Sequence, residues 1–187
     1  FEQSRVESLP HSAGEIRIWQ EEENSAALVA SLLKAGETLA VDDAVPLFVY
    51  NALRREIGAE RLVDAGPIIR EQRIVKSQTE IDIIKYAMGL TLEVHRRAHQ
   101  FIRPGIAASD VVRFIDEQHR EMGAGGSTFC IVSFGEATSL PHGADGEQFY
   151  KNGDVILVDT GCRIDGYHSD LTRTYMLDEP TADFERV

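Results

Sequence analysis

The sequence has only two cysteines, Cys130 and Cys162, among 187 residues. They are too few for a disulfide framework and form no C-x-x-C pair, so neither reads as a zinc ligand and a reducing compartment, the cytoplasm, is the expected location. Basic charge is also short. Nineteen Lys and Arg face 31 Asp and Glu for a net charge of −12, which argues against nucleic acid or an anionic membrane as the main partner. No apolar run approaches the ~20 residues of a membrane helix, and the opening "FEQSRVESLP" has neither the basic nor the apolar region of a signal peptide. No internal repeat or low-complexity tract is evident. What remains is a 43% hydrophobic composition, enough at this length for one or two packed cores. The first residue is Phe, and "PTADFERV" at the other end stops in what reads as the opening of a helix, so the chain is expected to be a piece of something longer.

Hydropathy patterning divides the chain. "EIRIWQ" (15–20) alternates like a strand, "NSAALVASLLKAG" (24–36) reads as a helix capped by Asn24, and "TLAVDD" (38–43) returns to strand. "VPLFVYNALRREIG" (45–58) is helical with Gly58 as terminator, and "RLVDA" (61–65) is strand-like. Residues 15–65 thus alternate as an α/β layer does. Near residue 70 the pattern changes: Ser77-Gln-Thr-Glu80 is a capping box opening a long helix that ends near "RPG" (103–105). "SDVVRFIDEQHREMG" (109–123) predicts a second helix with Ser109 as N-cap and Gly123 as its stop. From "STFCIVSFG" onward the chain reads as strands and turns, so the second region is α+β.

The chemistry lies in "DVILVDTGCRIDGYHSDLTRTY" (154–175). Two β-rich runs flank Asp165-Gly166, the strongest short signal for a two-residue hairpin turn. If Ile164 faces Tyr167, then Asp159 lies opposite Thr172 and Asp170 opposite Gly161, and both aspartates occupy diagonal sites on one face. Such sites are roughly 7–8 Å apart at the backbone, close enough for two carboxylates to converge on one or two cations. Gly161 is expected to leave room in front of Asp170. Without a cation the two acids repel and one is pushed toward protonation; a divalent metal resolves that conflict. Oxygen ligands suit Mn, Mg or Ca, with Co, Zn and Fe admitted when imidazole joins, so ligand type alone does not choose the metal.

Asp159-Thr-Gly161 followed by Asp165-Gly-Tyr-His-Ser-Asp170-Leu-Thr-Arg-Thr174 resembles the metal-binding hairpin of the pita-bread metallopeptidases: prolidases, Xaa-Pro aminopeptidases and methionine aminopeptidases. "SLPHG" (139–143) resembles the segment presenting that family's active-site histidine, here His142, and "RIVKSQTEI" (73–81) resembles the prolidase-branch lead-in to the catalytic domain. The resemblance implies residues 1–70 as the later part of a creatinase-type N-terminal domain and 71–187 as the first half of a pita-bread catalytic domain. It implies Asp159 and Asp170 as the first two of five metal ligands, with Asp170 bridging two divalent ions (Mn, Co, Zn or Fe, Mn favoured) and His142 as a catalytic residue beside them. His168 and Thr172 are candidate supporting or substrate contacts. The implied substrates are short peptides with proline in second position, and the implied assembly is a homodimer. The family's other ligands, a His and two Glu, lie well beyond the second Asp; here no His follows Asp170, and Glu179 and Glu185 are too near the hairpin to match. The chain is therefore expected to hold half of a metal cage, to bind divalent metal weakly or not at all, and to be inactive alone. Two rivals share the fold: a creatinase-like hydrolase without metal and a non-catalytic interaction protein.

Other features read as bland. His95 and His99 stand four apart on the long helix, but the intervening Arg-Arg-Ala lacks the Glu of a zinc motif, so both are expected to be polar helix-face residues. Cys162 reads as a packed thiol. "GAGG" (123–126) precedes a strand rather than a helix, unlike a phosphate loop. The acidic run "EEEN" (21–24) complements a helix N-terminus.

Overall fold

A computed structural model describes residues 17–186. The chain divides into two compact units, with the boundary in sequence between Val75 and Lys76. In the first, helix α1 (Ser25–Leu32), strand β1 (Leu39–Val41), helix α2 (Leu47–Ile57), strand β2 (Leu62–Asp64) and helix α3 (Gly66–Ile74) follow in order. Asn24 caps α1 through Oδ1, which accepts the N–H groups of Ala26 and Ala27, satisfying two of the donors every helix start leaves open. Strands β1 and β2 pair in parallel, Leu39 opposite Leu62, and Ala26, Leu53 and Ile57 form the small core beneath them.

Two expectations fail in this unit. Within "EIRIWQ", Arg17–Gln20 form no strand and are all exposed; Glu15 and Ile16 lie outside the described residues. Alternation specifies a strand only where one face is buried against something, and here neither face is. Helix α3 was not expected; Pro67 in its first turn is a recognised helix-opening signal.

The second unit is built on helix α4 (Gln78–Phe101), helix α5 (Ala108–Glu121) and an antiparallel sheet of β3 (Ser127–Phe134), β4 (Ile156–Ile164), β5 (Tyr167–His168) and β6 (Leu171–Tyr175), followed by the short α6 (Ala182–Arg186). The Ser77 capping box forms as read: Ser77 Oγ accepts the Glu80 N–H, and Glu80 Oε2 accepts the Ser77 N–H at 2.6 Å. Ser109, however, is not the cap of α5. The cap is Ala107, and the open donors are satisfied from a distant segment: the Gln148 carbonyl accepts the Ala108 N–H, and Glu147 Oε1 accepts the Ser109 N–H. A tertiary contact supplies what the sequence signal assigned to a local side chain.

Strand β4 is central, pairing with β3 on one side and with β5 and β6 on the other. Along it Ile156, Val158, Thr160 and Cys162 are buried; these side chains point toward the helices. Val94 on α4 and Val111 and Ile115 on α5 are fully buried with Ile156 and Val158 in one cluster, each contributing about 1.5–3 kcal/mol. Leu157, Asp159 and Gly161 alternate with these β4 residues onto the opposite, more open face, where Leu157 and Asp159 are half-buried.

Candidate active-site hairpin

Asp165 and Gly166 both have positive φ, 49° and 89°, the conformation that a tight two-residue hairpin needs and that Asp-Gly tolerates. The turn sets the register. Ile164 pairs with Tyr167 and Arg163 with His168, and farther down Thr160 pairs with Leu171 and Asp159 with Thr172. Every pair that forms keeps the predicted register; Asp170, whose partner in an ideal ladder would be Gly161, lies in the unpaired stretch between His168 and Leu171. Ser169 is buried on the helix side, which puts Asp170 and His168 on the opposite, open face with Asp159 and Thr172. Asp170, His168 and Thr172 are exposed and Asp159 is half-buried. Thr172 Oγ1 donates to Asp159 Oδ1 at 2.7 Å, occupying one carboxylate oxygen and orienting the other.

The ladder is interrupted between His168 and Leu171, and Gly161 shows why. A Cβ built there would lie 1.9 Å from the Ser169 carbonyl oxygen and 2.9 Å from the Phe129 ring. The space that glycine leaves is thus filled by the Ser169 backbone rather than held open in front of Asp170, correcting the expectation. Sequence spacing gives the register of an ideal ladder but not the detour of the chain inside it.

His142 lies in the turn that follows β3. The Gly143 N–H donates to the Leu140 carbonyl, and the nearest atom to a Cβ at Gly143 would be Cγ2 of Ile131, at 3.9 Å. Ile131 pairs directly with Asp159, so the two side chains share a face, and the "SLPHG" turn packs at that open face with His142 exposed. Asp159 and Thr172 thus meet on one face of the sheet, His168 and Asp170 are exposed on the same hairpin, and the turn carrying His142 approaches that face through Gly143 and Ile131. Hard carboxylate oxygens on an accessible face fit part of a divalent-cation site. Among the described residues no group of three or more His, Cys, Asp or Glu side chains converges as a closed metal site requires.

Helix α4 holds the other side of the hairpin. Tyr167 Oη donates to Glu80 Oε1 at 2.6 Å; this bond, with those from Ser77, holds the Glu80 carboxyl down at about 2. Thr91 Oγ1 lies 2.7 Å from Ser169 Oγ, and His95 Nε2 lies 2.9 Å from the Leu171 carbonyl oxygen. His95 is 5% exposed and so is not the polar helix-face residue its spacing suggested; burial pushes its pKa down, against the Leu171 hydrogen bond. His99 is exposed and leans on Tyr175, ring centroids 5.0 Å apart. Cys162 is fully buried, as read. Sequence reasoning missed Thr91, Ser169 and His95 as supports. Their one sequence signal is the four-residue spacing of Thr91 and His95, which places both on the same helix face.

His119 extends the buried network, its Nε2 3.2 Å from Thr91 Oγ1 and its Nδ1 2.8 Å from Ser127 Oγ. The ring is fully buried, and burial lowers its pKa, against the pull of Asp116. With the folded pKa below the unfolded value of ~6.5, the unfolded chain takes up more protons as pH falls below that value. The stability His119 contributes is present above pH ~6.5 and is lost as pH drops toward its folded pKa. Melting temperatures measured between pH ~7.5 and ~5 should fall toward the acid end, with a shallower decline in His119→Gln; equal slopes would contradict this.

A groove of about 550 Å³ between α4 and β6 is lined by Leu92, His95, His99, Arg173 and Tyr175 and by neither of the two aspartates. Among the described residues no helix is long and apolar enough to cross a membrane.

The profile of metallopeptidase family M24 matches residues 82–187, and that of the creatinase/prolidase N-terminal domain matches residues 1–75. A probable dipeptidase, PepE, of Mycobacterium tuberculosis is 34% identical over 167 residues, covering 88% of this chain and 44% of its own length. The crystal structure of dipeptidase PepE from Mycobacterium ulcerans matches with a TM-score of 0.79 at 31% identity, over 89% of this chain and 45% of that one. An Xaa-Pro dipeptidase from Bacillus anthracis matches with a TM-score of 0.78 at 30% identity, over 86% and 46%. The fold is thus the pita-bread and creatinase type, and the chain spans about half the length of the curated relatives it matches. With a family profile matched across more than half of its residues, the chain belongs to metallopeptidase family M24.

Proposed function

We propose that this chain carries one wall of the active site of a metal-dependent exopeptidase, an Xaa-Pro dipeptidase or Xaa-Pro aminopeptidase, which cleaves between an N-terminal residue and proline. The observation that carries the reading is the hairpin register, which pairs Arg163 with His168 and Asp159 with Thr172 and supports a shared accessible face for Asp159 and the exposed Asp170. In this reading residues 1–70 are part of a creatinase-type N-terminal domain and 71–187 are the first half of the catalytic domain. Asp159 and Asp170 are ligands of two divalent ions, Mn favoured over Co, Zn or Fe, and the missing ligands come from outside these residues. Such ions, when bound, lower the pKa of a water and polarise the scissile carbonyl.

The chain's own residues do the rest. Thr172, donating to Asp159 Oδ1, fixes the orientation of that carboxylate so that its free oxygen faces the open side. His142, on its turn at the edge of the same face, donates a hydrogen bond to the substrate carbonyl or takes part in proton transfer. His168 stands beside Asp170 as a substrate contact. Peptides with proline in second position are the proposed substrates, a homodimer the proposed assembly and the cytoplasm the proposed location. The similarity to the Xaa-Pro dipeptidase of Bacillus anthracis supports the substrate class.

The test is metal removal. The full-length protein, stripped by a chelator, is expected to lose hydrolysis of Xaa-Pro dipeptides and regain it on addition of Mn²⁺. The 187-residue chain alone should bind divalent metal weakly and turn over little substrate, because two carboxylates are too few ligands for a two-metal cage. Undiminished hydrolysis by the stripped protein, or tight binding of two ions by the chain alone, would refute the reading.

A further inference from the structure

Asp170 stands where the β-ladder is broken and has no strand partner itself, although beside it the Ser169 N–H donates to the Cys162 carbonyl and Leu171 pairs with Thr160. Its two neighbours are both held by one helix. Ser169 turns inward, 1% exposed, and its Oγ accepts the Cys162 N–H at 2.8 Å while lying 2.7 Å from Thr91 Oγ1. Leu171 offers its carbonyl oxygen to His95 Nε2, which donates at 2.9 Å. Thr91 and His95 are four residues apart and project from the same face of α4. Thr91 is anchored from behind by His119, itself bonded to Ser127 at the start of β3. Thr91, His119 and Ser169 are essentially inaccessible to water, so these bonds form at low local dielectric and are costly to break.

We propose that Thr91 and His95 are positioning residues for Asp170: they grip Ser169 and Leu171 on either side of it and set the direction of its carboxylate toward the open face. This rests on the reading of Asp170 as a metal ligand. The side chains never touch the metal or substrate; they act through the backbone, as groups behind a ligand do when they fix its approach.

Three substitutions in the full-length protein test it, each followed by two measurements. Thr91→Val keeps the shape of the side chain but removes the hydroxyl. Ser169→Ala removes the other partner at little change in volume, and Thr91→Ser restores a hydroxyl. In metal-free protein, amide hydrogen exchange across residues 167–173 should quicken in T91V and S169A and return toward wild type in T91S. The Mn²⁺ dissociation constant from calorimetry should rise about tenfold in T91V and S169A and stay within about twofold of wild type in T91S. Unchanged exchange and Mn²⁺ affinity in T91V and S169A would overturn the inference, as would a T91S variant as impaired as T91V, since a hydroxyl would then not be what matters. Asp170→Ala separates the two readings. If it leaves Mn²⁺ affinity unchanged, the metal-ligand reading fails and this inference fails with it. If Asp170→Ala abolishes binding while T91V and S169A bind normally, only the positioning role is lost.

Discussion

Replacing Asp170 by Ala in the full-length protein is expected to lower kcat/KM for an Xaa-Pro dipeptide by about a thousandfold or more, on the order of 4 kcal/mol of transition-state stabilisation. The size follows from the position. Asp170 is exposed in the unpaired stretch between His168 and Leu171, and its neighbours are tied into the helix layer. Its removal leaves the fold's contacts in place, since the buried atoms of that stretch belong to Ser169 and the backbone of Leu171. Activity should fall without a matching loss of stability, and the melting temperature should stay within a few degrees of wild type. Asp159→Ala should behave similarly, with the added loss of the Thr172 hydrogen bond. Normal activity in D170A would exclude the proposed mechanism.

Gly161→Ala is expected to do the opposite, damaging the fold first. Its Cβ would lie 1.9 Å from the Ser169 carbonyl oxygen, and that oxygen is backbone, fixed by the Ser169 N–H bond to Cys162 and by the Thr91 contact. Neither strand can yield without breaking the buried network, so the cost should reach about 3 kcal/mol, the upper part of the range for overpacking. A fall of roughly 10 °C in melting temperature follows for a unit of this size. Gly89 provides the contrast. It lies in the exposed part of α4, and nothing lies within 4 Å of a Cβ built there, so Gly89→Ala should stabilise by about 0.5–1 kcal/mol through helix propensity alone. Parallel thermal melts check both; equal behaviour of the two alanines would contradict the steric argument.

These two glycines also show what the sequence could and could not convey. The hairpin was legible because its determinants are local: Asp165-Gly166 fixes the turn, the turn fixes the register, and the register carries Asp159 and Asp170 to one face. The caps at Asn24 and Ser77 were legible for the same reason. The role of Gly161 was not, because the oxygen it makes room for belongs to a chain detour anchored by Thr91, 78 residues before Ser169. Ser109 was misread as a cap because Glu147 and Gln148 arrive from a distant loop to serve the same donors. His95 looked like a surface residue because spacing cannot tell which side of a polar-rich helix faces a hairpin more than seventy residues downstream. Candidate ligands can be read from local pattern; the groups that orient them depend on tertiary packing.

The metal content of purified protein tests the central claim most directly. After exhaustive dialysis, wild-type full-length protein should retain about two divalent ions per chain, and D170A, at the same concentration and with the same melting behaviour, should retain fewer than one. Equal metal in the two proteins would contradict the assignment of the Asp159–Asp170 hairpin as one wall of the metal site.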